Sequence, residues 1–103
     1  MELSQKPQVA TLLNAHSTDT PGQPAEWNGG QGTLHIFGTW DGATVTMEGS
    51  LDGDNWDAIN GISAFTDDYF GPVSDAGNCF IRANVSGVGT SSLTAKISPT
   101  IPR

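Results

Sequence analysis

Gly38-Thr39-Trp40-Asp41-Gly42-Ala43-Thr44-Val45-Thr46-Met47-Glu48-Gly49-Ser50-Leu51-Asp52-Gly53-Asp54-Asn55-Trp56 is the stretch whose reading decides the architecture. Two Asp-Gly pairs, Asp41-Gly42 and Asp52-Gly53, bracket one alternating run. Asp-Gly between alternating segments is a strong hairpin signal, because glycine accepts positive φ at little steric cost. Ala43, Val45, Met47, Gly49 and Leu51 share one parity; Thr44, Thr46, Glu48 and Ser50 share the other. Successive strand side chains point to opposite faces, so the run reads as an apolar face backed by a polar one. Three strands of an antiparallel meander are expected here, with Trp40 and Trp56 packing at strand ends.

Upstream, Thr33-Leu34-His35-Ile36-Phe37-Gly38-Thr39-Trp40 reads as another strand. Leu34, Ile36 and Trp40 fall on one face, and His35, Phe37 and Thr39 on the other. Phe37 is apolar where water is expected, which a covering layer or a subunit contact would explain. Downstream, Asn60-Gly61 reads as a turn, and Ile62 to Phe65 and Tyr69-Phe70 are short apolar pieces. Pro72 suits an edge or a loop because it has no N–H to donate to a ladder. Asn78 to Ser86 reads as a long strand, and Gly87-Val88-Gly89 turns it back into Ser91 to Ser98, with Leu93, Ala95 and Ile97 inward. The count is about seven or eight strands with turn signals roughly every 8–12 residues. The expected fold is all-β, a small antiparallel β-sandwich or barrel, jelly-roll-like, with an extended N-terminal arm.

Residues 1–32 have a different texture. Val9, Leu12 and Leu13 form a small apolar cluster, and Thr18 to Gly32 brings two prolines and four glycines. Proline removes a donor and glycine weakens regular structure, so this reads as a long loop or extended arm. One reading makes residues 8–13 a first strand followed by a surface loop; the other makes the segment an arm reaching onto a neighbouring subunit. Trp27 decides between them, because leaving it in water forgoes a large burial gain. The expected division is an arm over 1–32 and a sandwich over 33–103. Val9, Leu12, Leu13, Trp27 and Phe37 are the candidate contacts to a subunit or shell.

The 103-residue chain suits one domain, with 13 glycines and only 36% apolar residues. Its net charge of −7 argues against nonspecific nucleic-acid binding, which relies on clustered Lys and Arg. It argues equally against an anionic membrane surface. No run approaches the roughly 18 apolar residues of a membrane span, and Met1 to Lys6 lacks a signal-peptide core, so synthesis in the cytoplasm is expected. The single cysteine, Cys79, excludes an intrachain disulfide and reads as a buried thiol.

Nothing in the residue pattern points to an enzyme. Asp52, Asp54, Asn55 and Asp57 are spaced somewhat like calcium ligands, but Trp56 occupies a ligand position and no distant Glu follows. His16, His35 and Cys79 have no zinc spacing, and no serine sits in a Gly-x-Ser-x-Gly elbow. No metal and no cofactor are expected.

The run from Gly38 to Glu48, followed by Ser50 to Trp56, resembles a pattern in small structural proteins of tailed bacteriophages. Phe80 to Gly87 and Ser92 to Ile97 are similar to the paired closing strands of those proteins. The resemblance covers residues 33–98. It implies a virion component, foremost a capsid decoration (cement) protein on the phage head, with tail, neck or head-fibre parts as the alternative. It further implies a homo-oligomer, often a trimer, with the major capsid protein as partner. A carbohydrate-binding module using Trp27, Trp40 or Trp56 is the reading from a different class.

Overall fold

The computed structural model describes residues 9–28, 31–59, 64–73 and 78–99. Over these the chain forms β1 (Ala10–His16), β2 (Ala25–Asn28), β3 (Gly32–Thr39), β4 (Thr44–Ser50), β5 (Asp57–Ala58), β6 (Tyr69–Val73), β7 (Asn78–Ser86) and β8 (Ser92–Pro99). They build two four-stranded sheets, ordered β1-β8-β3-β6 and β2-β7-β4-β5. Pairing is antiparallel and runs in reverse along the chain: β1 with β8, β2 with β7, β3 with β6, β4 with β5. The chain is one long hairpin folded over on itself, and the β3–β8 and β4–β7 ladders complete the sheets. This is the order of a jelly roll, two Greek keys wrapped into a sandwich.

Alternation supplies the core. Leu34 and Ile36 of β3, Val45 and Met47 of β4, Ile81, Ala83 and Val85 of β7, and Leu93, Ala95 and Ile97 of β8 are all buried. They meet in one cluster between the sheets. Full burial of each Leu, Ile, Val or Met contributes about 1.5–3 kcal/mol, set against the entropy of ordering so many turns.

The meander expected over residues 38–56 is corrected by the sheet assignment. Asp41 and Gly42 do form a tight turn, with φ of 42° and 85°, and Ala43 N–H donates to the Trp40 carbonyl at 2.8 Å. These are hairpin-turn dihedrals. Yet the turn carries the chain from one sheet to the other, since β3 pairs with β8 and β6 while β4 pairs with β7 and β5. Only β4 and β5 form a hairpin, with Glu48 opposite Ala58 and Gly49 opposite Asp57. The link from β7 to β8 likewise changes sheets. A turn signal is local, whereas a strand's partner is fixed by distant residues. The Asn60-Gly61 turn lies outside the described residues.

The N-terminal segment is also corrected where it is described. Residues 10–28 are not an arm: β1 lies beside β8 in one sheet and β2 beside β7 in the other. The sandwich therefore starts at Ala10, not at Thr33; residues 1–8 are outside the described residues. Leu12 and Leu13 are both buried although adjacent. Two irregularities in the β1–β8 register and the left-handed Ala15 (φ 48°) bend the strand enough to turn both inward. The Pro/Gly-rich link is stitched to both sheets. Gly22 N–H donates to the Ala83 carbonyl at 2.8 Å, and Gln23 N–H to the Leu12 carbonyl at 2.9 Å. A side chain at Gly22 would collide with the Leu12 carbonyl, so this close approach requires glycine. Trp27 plugs the protein's own core opposite Cys79.

Leu12→Ala is expected to lower the unfolding free energy by about 2–5 kcal/mol, read from the midpoint of a urea titration. A first strand lying free of the sandwich would leave the midpoint unmoved.

Candidate functional site

The same alternation that fills the core fixes what the β1-β8-β3-β6 sheet shows to the outside. Along the β3–β8 ladder, His35 faces Lys96 and Phe37 faces Thr94. On the other side of β3, His35 pairs with Phe70 of β6. These positions alternate with the buried Leu34, Ile36, Ala95 and Ile97, so they project outward. The His35 ring lies 4.5 Å from the Phe37 ring and 4.9 Å from Phe70, edge-on to the latter. Beside this row runs an open, mainly apolar groove of about 330 Å³, lined by Val9, Thr33, His35, Phe70 and Lys96 among others. The four strands of this sheet contain no Asp or Glu, whereas those of the other sheet carry Glu26, Glu48 and Asp57. On a chain of net charge −7, the outward positions of this face are neutral or basic, with Phe37 and Phe70 set among Thr33, His35, Thr94, Lys96 and Ser98. The exposed apolar side chains of this face gather at the groove, at Val9 and Phe70.

Of the five residues singled out in the sequence, the structure brings two to this face. Val9 lines the groove and Phe37 stands beside His35. Leu12, Leu13 and Trp27 are core residues and not available to a partner. Sequence reasoning missed Phe70 and Lys96. Phe70 was hidden because Tyr69-Phe70 runs straight into Gly71-Pro72, too short a piece to assign a parity. Its facing could only be found from its pairing with His35 across β3.

The second feature is the β4–β5 loop. Leu51 continues the apolar parity of β4 but points into solvent, because the strand ends at Ser50 and the chain is captured there. The buried Ser50 hydroxyl accepts from the N–H of Asp52 at 3.2 Å and of Gly53 at 2.8 Å, and donates to the Asp52 carboxylate at 2.9 Å. Asp52 in turn accepts from the N–H of Asp54 (2.8 Å) and Asn55 (2.9 Å) and from the Asn55 side chain (2.8 Å). These donors, led by the Asn55 and Asp54 backbone N–H groups, hold its carboxyl far below the usual range. Trp56 closes the loop by donating to the Gly53 carbonyl at 3.2 Å. Both Asp52 oxygens, the first of the calcium-like set, thus face protein donors.

Other chemistry-bearing residues hold the body together. Asp41 accepts from Thr90 N–H (2.6 Å) and hydroxyl (2.8 Å), bonds that lower its pKa, and Asp19 accepts from Val88 N–H at 2.8 Å. Arg82 donates to Glu48 at 2.7 Å and lies 4.2 Å over the Trp56 ring. Trp40 donates to Asp68 at 2.7 Å. With Trp27 in the core, and Trp40 and Trp56 at opposite ends of β4, the tryptophans share no platform for a sugar. Partial burial pushes the Cys79 thiol up. Among the described residues, no group of three or more His, Cys, Asp or Glu is placed to hold a metal ion. No helix among them is long and apolar enough to cross a membrane.

No protein family and no curated protein matches this sequence. The crystal structure of the SPBc2 prophage-derived protein YomS resembles it with a TM-score of 0.65 at 12% identity, covering 97% of this chain and 100% of that one. At this identity the likeness shows a shared fold.

The Asp52 network gives a pH signature. The unfolded carboxyl titrates near pH 3.9, and the folded one lies lower. Its contribution is therefore complete above about pH 4 and fades as pH falls toward the folded value. Asp52→Asn is expected to melt below wild type at neutral pH, with the gap narrowing between roughly pH 4 and pH 2. A gap constant across that range in melting scans would contradict the assignment.

Proposed function

We propose that this chain is a structural component of a phage virion, and specifically a capsid decoration protein that self-associates and binds the major capsid protein on the head surface. The observation that carries this reading is the outer face of the β1-β8-β3-β6 sheet, where Phe37 stands outward on strands that contain no Asp or Glu, on a chain of net charge −7. Such a face suits attachment to a larger surface. A fold does not dictate a function, and jelly rolls host several. Two considerations support the virion reading: the strand-and-turn pattern of residues 33–98 is like that of small phage structural proteins, and a protein of similar fold is prophage-derived.

The mechanism is mechanical. A body whose β3–β4, β4–β5 and β7–β8 links are held by hydrogen bonds settles on a shell with little reordering of those links, so little of their entropy is lost on docking. Many copies held on one particle, each by a modest contact, stay bound through avidity. Phe37 lies on the attachment face beside the groove and is assigned to the shell contact.

The test is co-sedimentation with purified heads lacking this protein. Wild type is expected to bind saturably and raise the melting temperature of the heads, and Phe37→Glu to weaken binding by about tenfold or more. Copy number per particle separates decoration from a tail, neck or head-fibre part, which is present in far fewer copies. No saturable binding to any part of the virion by wild type ends the proposal.

A further inference from the structure

We infer that copies of this chain join head to tail, with Leu51 of one copy entering the groove on the β1-β8-β3-β6 face of the next; this deepens, and rests on, the reading of the protein as a self-associating virion component. Among the described residues three large apolar side chains are strongly exposed: Val9 at 52%, Phe70 at 72% and Leu51 at 85%. Val9 and Phe70 line the same groove. Leu51 stands by itself on the β4–β5 loop. One contact would cover all three.

A lone exposed leucine is ordinary. This one is displayed by a braced loop. Ser50, Asp52, Asn55 and Trp56 fix the backbone on both sides of it through the hydrogen bonds described above. A backbone held in this way loses little freedom on binding. The groove, at about 330 Å³, is ample for it.

Charge selects the orientation. The groove is lined by Lys96, and the strands around it carry no carboxylate. Leu51 is followed by Asp52, Asp54 and Asp57. Copies with a net charge of −7 repel in most orientations, and this one brings unlike charges together. A symmetric face-to-face contact would set each Lys96 on the face of another and leave Leu51 in water. The knob follows a strand of one sheet and the groove opens on the outer face of the other, so the contact is between molecules. Knob and groove are different surfaces, which makes the contact heterologous; it closes into a ring when the rotation between copies returns on itself.

Sedimentation velocity at rising concentration tests this on wild type, Leu51→Glu, Leu51→Ser, Phe70→Glu and an equimolar mixture of Leu51→Glu with Phe70→Glu. Both positions are exposed, and melting scans check that each variant is folded. Wild type is expected to sediment above its 10.8 kDa chain mass. Each single variant is expected to associate at least about tenfold more weakly. Leu51→Ser separates loss of the apolar knob from added charge. The mixture is expected to give a species of two chains, because one intact knob and one intact groove remain between the two variants. Assembly of Leu51→Glu like wild type, through a symmetric face or any other surface, overturns the inference. So does a wild type that remains a single chain. Shell binding is measured on the same samples: a single chain that binds heads removes this contact and leaves the decoration reading, whereas assemblies that bind no virion do the reverse.

Discussion

The register of β3 against β8 governs both the inside and the outside of this protein. Leu34 opposite Ile97 and Ile36 opposite Ala95 send four apolar side chains into the core. The intervening pairs, His35 opposite Lys96 and Phe37 opposite Thr94, are turned outward by the same pleat. A slip of β8 by one residue would turn Lys96 into the core and Leu93, Ala95 and Ile97 into water. The core's demand for dryness therefore fixes the composition of the outer face. Stability and surface chemistry are read from a single ladder.

That coupling explains why some features were legible in the sequence and others were not. Alternation from Leu34 to Ile97 announced an all-β sandwich, because period-two burial is a local property of each strand. The sheet to which each strand belongs is not local. The Asp41-Gly42 turn has the dihedrals of a hairpin but links strands whose partners lie far away in the chain, β8 for one and β7 for the other. Leu12 and Leu13 defeated the alternation rule because bulges turn neighbours to the same side. Trp27 sat in a segment whose glycines and prolines masked a four-residue strand. Leu51 kept the parity of its strand on paper, while the Ser50 hydroxyl ended that strand one residue earlier.

The sheet edges are built against strand addition. β5 is two residues long, β2 is four, β6 carries Pro72, and β1 is irregular along its ladder. Each device weakens a long, flat row of free backbone groups that would otherwise recruit another strand.

The pairing of β1 with β8 also determines how the molecule responds to force. Ala10 lies opposite Ile97, and the ladder runs from there to His16 opposite Leu93, so the two ends of the sandwich chain leave side by side. Tension between them would peel the ladder one rung at a time instead of loading its bonds together.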